Sequence, residues 1–353
     1  AGMSGFRNIA QLAKKANLLR PEALAVPDDQ AAAELRAKLD YAPAAIFTGE
    51  QGLCRLAQME SADMVLVAIV GMGGLRPTLA ALEAGKDIAL ASKEVMVVAG
   101  EIVMAAAKAR GRCILPVDSE HNAIFQCLEG HELRHVKRLI LTASGGPFRT
   151  WPRGKLCAVT REDALRHPTW RMGEKITIDS ATLFNKGLEM IEARWLFDLP
   201  VEHIGVVIHP QSIVHSMVEF LDGSVLAQMS HSDMRFPIQY ALTWPDRIAG
   251  SLPPLDFAKL GRLDFEEPRY DDFPALDLAR QAAERGGTAP AALNAANEVA
   301  VAEFLAGRIS FPKIWEIVAS VLERSSDAPA ADLAAVLGAD RAARELAAAC
   351  AAL

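Results

Sequence analysis

Between Asn8 and Pro116, helix-patterned and strand-patterned segments follow one another with few interruptions, and that order admits few folds. Helical periodicity over Asn8–Asn17, Gln30–Lys38, Gly49–Gln58, Leu75–Ala84 and Lys93–Arg110 is separated by the short apolar runs Ala23–Val26, Ala44–Phe47, Met64–Ile69, Asp87–Leu90 and Cys113–Pro116. Strands joined by helices of roughly ten residues pair in parallel and are covered on both faces, and their ligands sit at the carboxyl ends of the strands. A doubly wound domain is therefore expected over residues 1–117. Ala1-Gly2-Met3-Ser4 leads into the first helix with no strand ahead of it, so the domain reads as entered part-way, its opening βαβ unit missing.

The texture then changes. Strand patterns at Arg138–Thr142, Gly205–Ile208, Ser212–Phe220 and Ser224–Met229 surround a helix predicted over Thr182–Phe197, and Asp222-Gly223 is a two-residue hairpin signal. An α+β domain is expected over 118–243, a Pro- and Gly-rich linker over 244–274, and an alanine-rich helical bundle over 275–353 with breaks at Gly286-Gly287, Ser325–Ala328 and Gly338. The overall expectation is an α/β fold: a doubly wound parallel sheet, an α+β domain and a C-terminal α-helical bundle.

Composition narrows the function. Thirty-seven basic against 44 acidic residues leave a net charge of −7, so a nucleic-acid partner is not expected. The longest apolar stretches fall short of the roughly 20 residues a membrane helix needs, so no membrane partner is expected. The 5 cysteines are scattered with no Cys-x-x-Cys pair, and no secretory leader precedes them; they read as small apolar fillers in a reducing compartment.

Two clusters carry chemistry. Asp118, Ser119 and Glu120 follow the apolar run Cys113–Val117, and strand periodicity puts the two carboxylates on one side. Adjacent carboxylates repel unless a cation or shared proton lies between them, and a hard divalent ion is the natural partner. A solvated acid pair is the alternative. Further on, Ile176–Ser180 leads into a helix expected to begin near Ala181–Thr182, which puts Ser180 at its N-cap, an anion-binding position. Asn185, Lys186 and Glu189 share one sector of that helix, an arrangement suited to a phosphorylated, oxygen-rich ligand beside a metal. A capped surface helix with a Lys–Glu pair is the alternative.

Three loops complete the set. Ser144-Gly145-Gly146-Pro147-Phe148 lets backbone amides approach an anion. The aperiodic run from Arg166 to Gly173, containing His167, Trp170 and Met172, has the make-up of a lid. His209-Pro210-Gln211-Ser212 and His215 are read more simply as core histidines on or beside a strand.

These strings resemble the 1-deoxy-D-xylulose 5-phosphate reductoisomerase family, in order over nearly the whole chain: Pro116-Val-Asp118-Ser119-Glu120-His121-Asn122-Ala-Ile-Phe-Gln126, Ser144-Gly-Gly-Pro-Phe-Arg149, His167 through Gly173, Asn185-Lys-Gly-Leu-Glu189, His209-Pro-Gln-Ser212, Asp233-Met-Arg235 and Ala292-Leu-Asn-Ala-Ala-Asn297-Glu298. The resemblance implies a Rossmann-like NADPH-binding domain and conversion of a small sugar phosphate, 1-deoxy-D-xylulose 5-phosphate, to 2-C-methyl-D-erythritol 4-phosphate. NADPH and a divalent metal, Mn2+, Mg2+ or Co2+, would be needed. It further implies Asp118, Glu120 and Glu189 as metal ligands; Ser144, Ser180, Asn185 and Lys186 around the phosphate, with His167 closing from the lid; and Ser119 and Lys93 on the substrate's carbon chain beneath Trp170 and Met172. Lys93, Glu120 and His167 form the implied catalytic set, and Gly2, Ser4, Ser92, Glu94 and Gly173 match positions that touch NADPH. A homodimer is implied, in the cytoplasm of a bacterium or in a plastid, and the adjacent strands of Gly205–Met229 are the expected shared surface.

Two departures stand out. The family's glycine loop between its first strand and first helix is absent, and Met3 stands where a Lys near the 2′-phosphate is common. Two other readings therefore stay open: a metal-dependent sugar-phosphate isomerase or aldolase with no nicotinamide step, and a non-catalytic sugar-phosphate sensor.

Overall fold

The computed structural model describes residues 1–326 and 328–353. Its contacts divide into two compact units, Ala1–Val95 with Val103–Leu115 and Met96–Ile102 with Pro116–Leu353.

The first unit runs β1 (Gly2–Ser4), α1 (Ile9–Leu19), β2 (Ala23–Val26), α2 (Asp29–Lys38), β3 (Ala45–Thr48), α3 (Gly49–Ala57), β4 (Met64–Val67), α4 (Leu75–Glu83), β5 (Asp87–Leu90), the two ends of α5 (Lys93–Arg110), whose middle belongs to the second unit, and most of β6 (Ile114–Pro116). The strands form two three-stranded sheets, β1-β2-β3 and β4-β5-β6, and the pairs β1/β2, β2/β3 and β4/β5 are parallel. β2 is buried along its whole length, as a strand covered on both faces must be. Leu12, Ala16, Leu24, Val26 and Leu35 pack into one core there. α1 starts where expected because Asn8 Oδ1 accepts from the Gln11 N–H at 2.9 Å. A strand does precede α1, contrary to expectation: Gly2–Ser4 pairs in register with Ala23–Ala25. Three residues are too short to show an alternation, and a Cβ on Gly2 would fall 2.5 Å from Leu56 Cδ1, so close packing explains the glycine.

The second unit begins with α6 (Ser119–Leu128) and continues β7 (Val136–Ala143), α7 (Arg161–Ala164), α8 (Glu174–Thr182), α9 (Phe184–Leu196), β8 (Ile204–Ile208), β9 (Val214–Phe220), β10 (Val225–Met229), α10 (Arg235–Thr243), α11 (Phe257–Leu260), α12 (Ala275–Arg285), α13 (Ala289–Leu305), α14 (Lys313–Arg324) and α15 (Leu333–Ala351). Its sheet has the order β10-β9-β7-β8, with β7/β8 parallel and the other pairs antiparallel. The Asp222-Gly223 hairpin forms, with Gly223 at φ +84° and the Ser224 N–H donating to Asp222 Oδ1 at 2.9 Å. One core runs from Leu139 and Leu141 on β7 through Phe184, Leu188 and Ile191 on α9 to Phe304, Val318 and Ala347 in the C-terminal helices. Within the stretch 244–274, Glu266 meets the end of β8, where Ile208 and Glu266 exchange two backbone hydrogen bonds of 2.9 Å.

Three helix breaks differ from expectation. The predicted helix over Thr182–Phe197 is two helices, because Leu183 takes a left-handed conformation (φ 67°, ψ 6°) between α8 and α9. Gly338 breaks nothing and lies inside α15, where packing of Val336, Ala343, Ala347 and Cys350 outweighs the roughly 1 kcal/mol that a mid-helix glycine costs. An additional break falls after α13 at Gly307, φ +72°.

Candidate active site

Asp118 and Glu120 are brought together by a helix start and not by strand alternation. α6 begins at Ser119, so Asp118 is its N-cap and Glu120 lies in its first turn. Asn122 pins this turn by donating its Nδ2 to the carbonyls of Pro116 (2.9 Å) and Pro237 (3.2 Å). Facing it, the first turns of α9 supply Asn185, Lys186 and Glu189 on one sector, as expected. Asn185 Nδ2 donates to Glu189 Oε1 at 2.7 Å, and Lys186 Nζ bridges Glu189 Oε2 (2.5 Å) and Glu120 Oε1 (2.7 Å). Lys186 and Glu189 are buried. Burial alone would lower the Lys186 pKa, but the charges of Glu120 and Glu189 reverse this and hold it above the usual lysine value. Ser119 Oγ donates to Glu120 Oε2 at 2.6 Å.

Behind these carboxylates sits a buried pair that sequence reasoning passed over. His121 holds its Nε2 2.9 Å from the Glu189 carbonyl and its Nδ1 3.4 Å from Glu192 Oε2, and so ties α6 to α9. Possible ligand atoms of Asp118, His121 and Glu192 all lie within 4.8 Å of one another. The available signal was His121 three residues after Asp118 and Glu192 three after Glu189, each one helical turn from a singled-out carboxylate.

The second cluster forms around His167. Its Nε2 lies 3.0 Å from Ser144 Oγ and 3.0 Å from Ser180 Oγ, so the serine after β7, the serine of α8 and the lid histidine converge. Ser180 is not the N-cap expected for it; it lies in the last turn of α8, ahead of the left-handed Leu183. Gly146 permits the convergence, since at φ +67° its Cβ would stand 2.8 Å from the Ser180 carbonyl oxygen. Burial pushes the His167 pKa down to about 4.

The run from Arg166 to Gly173 lies on the β8–β9 connection. Trp170 packs its edge against His215 with ring centroids 6.3 Å apart, and Thr169 Oγ1 lies 3.4 Å from Ser212 Oγ. His215 in turn feels the charges of Glu120 and Lys186, although burial dominates and lowers its pKa. The ring contact with Trp170 adds to the core place expected for this histidine. His209 does behave as a core residue, with Nδ1 at the Asp264 carbonyl (2.8 Å) and Nε2 accepting from the Ile213 N–H (3.2 Å). Met172 is half-buried, and Gly173 caps α8, its carbonyl accepting from Thr177 Oγ1 at 2.8 Å.

In the first unit Ser4, Ser92, Lys93 and Glu94 lie at or just beyond the carboxyl ends of strands, and Gly2 does not. Ser4 ends β1, and Gly2 opens the same strand. Ser92 follows β5 and donates its Oγ to the Ile69 carbonyl beyond β4 at 2.5 Å. Lys93 and Glu94, both buried, form the first turn of α5.

Family models describe the same chain in three stretches: 1-deoxy-D-xylulose 5-phosphate reductoisomerase over residues 1–100, its C-terminal domain over 114–197, and the DXP reductoisomerase C-terminal domain over 229–346. The reductoisomerase of Symbiobacterium thermophilum is 56% identical over 350 residues, covering 98% of this chain and 90% of that protein. The chain belongs to the 1-deoxy-D-xylulose 5-phosphate reductoisomerase family. The reductoisomerase of Gloeobacter violaceus is 51% identical, covering 98% of this chain and 88% of that protein. Among solved structures, the Zymomonas mobilis reductoisomerase in complex with NADPH superposes with TM-score 0.93 at 45% identity, covering 99% of this chain and 91% of that one. A reductoisomerase in complex with NADPH, fosmidomycin and magnesium superposes with TM-score 0.94 at 42% identity, covering all of this chain and 91% of that one.

Proposed function

We infer that the chain catalyses the metal-dependent rearrangement and NADPH reduction of 1-deoxy-D-xylulose 5-phosphate to 2-C-methyl-D-erythritol 4-phosphate. The observation that carries this reading is Lys186 lodged between Glu120 and Glu189, a cation among convergent carboxylates, together with a second cluster in which His167 meets Ser144 and Ser180.

The donor set of Asp118, Glu120 and Glu189 is entirely carboxylate oxygen, which fits a hard divalent ion such as Mg2+, Mn2+ or Co2+. The ammonium of Lys186 already marks where positive charge is stabilised. When bound, the ion supplies Lewis-acid polarisation of the substrate carbonyl. NADPH supplies the hydride, and Gly2, Ser4, Ser92, Glu94 and Gly173 are its proposed contacts; the placement of Ser4 and Ser92 at carboxyl ends of strands suits a dinucleotide.

The remaining roles fall to side chains. Ser144, Ser180 and His167 offer hydroxyl and imidazole donors to the phosphate, and Asn185 and Lys186 join them from the start of α9. Phosphate contacts made far from the reacting carbons provide binding energy for orientation. Lys93 and Ser119 hold the carbon chain, with Lys93, Glu120 and His167 as the catalytic set. Trp170 and Met172 cover the substrate and exclude water.

A homodimer is part of the proposal. Leu221, Val225 and Leu226 are exposed along the β9–β10 hairpin, and among the described residues no strand pairs with the outer edge of β10. The proposed location is the bacterial cytoplasm; no described helix is long and apolar enough to cross a membrane.

The test is NADPH oxidation, followed by absorbance, with 1-deoxy-D-xylulose 5-phosphate and with magnesium or manganese added or chelated. Oxidation that needs both substrate and metal is expected. Rearrangement without NADPH consumption would favour the isomerase, and binding without turnover the sensor.

A further inference from the structure

The two ring nitrogens of His167 face different structures. Nδ1 lies 3.2 Å from the backbone nitrogen of Thr169 and 2.9 Å from that of Trp170. A backbone N–H can only donate, so Nδ1 is the unprotonated acceptor of a neutral imidazole. The ring proton is then on Nε2, which faces Ser144 Oγ and Ser180 Oγ at 3.0 Å each. Ser144 Oγ also accepts from the Gly146 N–H at 3.2 Å, so its orientation is set from the loop side. The intervening Pro168 has no N–H to offer, and the Trp170 N–H, which in an ordinary turn would reach back to a carbonyl, goes to the ring instead. His167 is thus the closing element of the turn that carries Trp170 to its place against His215.

We propose that His167 is a positioning residue for the lid as well as a phosphate contact: Nδ1 holds the Thr169–Trp170 turn, and Nε2–H meets the substrate's phosphate as a neutral donor. The cationic form is disfavoured because a proton on Nδ1 would expel both N–H groups and release Trp170. Burial of the ring acts in the same direction, since it penalises the charged form. The inference rests on reading this site as a sugar-phosphate site, but the state of the ring can be measured without any ligand.

Two substitutions separate the nitrogens. In His167→Asn the amide oxygen can take the place of Nδ1, and nothing reaches the position of Nε2. In His167→Gln the longer amide reaches the Nε2 position and leaves the turn unheld. Trp170 emission, isolated by subtraction of a Trp170→Phe variant, reports the lid, and titration with inorganic phosphate reports the anion site. His167→Asn is expected to keep wild-type Trp170 emission and to weaken phosphate at least tenfold. His167→Gln is expected to keep phosphate within about threefold, shift Trp170 emission to that of an exposed indole and lower kcat at least tenfold. Parallel loss of both readouts in both variants overturns the proposal. Nitrogen NMR of the full chain labelled at histidine, with His167 assigned by its absence from His167→Asn, gives the independent check. A neutral ring protonated at Nε2 is expected at pH 7 with and without phosphate, and an imidazolium or an Nδ1–H ring overturns the inference. Failure of the wild-type chain to bind the sugar phosphate would instead sink the functional reading, while the ligand-free spectrum still decides the role of Nδ1.

Discussion

Asn297 donates its Nδ2 to Oδ1 of Asp179 across 2.8 Å, and so joins the C-terminal helix α13 to the helix that carries Ser180. Both side chains are buried, and the other carboxylate oxygen of Asp179 pairs with Lys175 at 2.7 Å. Removing the donor leaves a buried carboxylate oxygen short of a partner, which typically costs about 1–3 kcal/mol. Asn297→Ala should therefore lower the midpoint of denaturant unfolding without changing its slope. It should also raise KM for the sugar phosphate more than it lowers kcat, because Ser180 rides on the helix that loses its anchor.

Glu189 is the carboxylate on which Asn185 and Lys186 converge. Glu189→Gln keeps its shape and removes its charge. The expected outcome is a loss of kcat/KM of about a hundredfold or more, equivalent to at least roughly 3 kcal/mol of transition-state stabilisation, with a higher magnesium concentration needed for half-maximal rate. Unchanged metal dependence would remove Glu189 from the ligand set.

Much of this was legible in the sequence, and what was not has physical causes. β2 and β5 fall between their predicted boundaries because a buried apolar run leaves little choice, and α5 keeps its predicted ends although Ala99 leaves the helical conformation (φ −139°, ψ 28°) inside it. Asp118 and Glu120 were legible as a pair, but on the wrong geometry, since the apolar run before them reads on as a strand although Asp118 at an N-cap and Glu120 in a first turn are also a helix start. Ser180 was misplaced because the break that separates α8 from α9 rests on a leucine at φ 67°, where a glycine or asparagine would have given a signal. His215, His121 and Glu192 owe their places to burial and to partners distant in sequence. For His121 and Glu192 only the one-turn spacing from Asp118 and Glu189 hints at a place beside the carboxylates, and for His215 local spacing gives no hint.

Gly146 tests how tightly the serine–histidine cluster is built. A methyl group there would meet the Ser180 carbonyl oxygen at 2.8 Å and the Ala181 Cα at 3.0 Å, on a backbone with φ +67°. Neighbouring backbone cannot yield as a flexible side chain would, so Gly146→Ala should cost about 1–3 kcal/mol of stability. Because the clash pushes the Ser144 loop away from α8, weaker binding of inorganic phosphate should accompany the loss, and isothermal titration would measure it.

His167 also makes stability depend on pH. In the unfolded chain its ring takes up a proton near pH 6.5, whereas in the folded protein burial delays this to about pH 4. Between those values the unfolded state binds more protons, so stability falls as the pH is lowered through the window and is regained as it rises. His215 is shifted in the same direction and adds to the effect. Denaturant unfolding at a series of pH values from 7 to about 4 should show a shallower decline for His167→Asn than for the wild type. An identical decline would mean that folding does not lower the pKa of His167.

The hairpin edge yields the last prediction. Leu226 on β10 is 40% exposed, and Leu221, in the turn before it, is 66% exposed. An apolar, unpaired strand edge invites a second sheet, and a twofold contact would bring each Leu226 near its own copy or a close neighbour. Leu226→Asp should therefore act twice at a symmetric interface, placing two carboxylates in a region that is apolar in the wild type. Sedimentation should show a dimer for the wild type and a concentration-dependent shift toward monomer for the variant. Circular dichroism should stay unchanged, because the residue lies outside the buried core. A variant that remains fully dimeric would place the shared surface elsewhere on the chain.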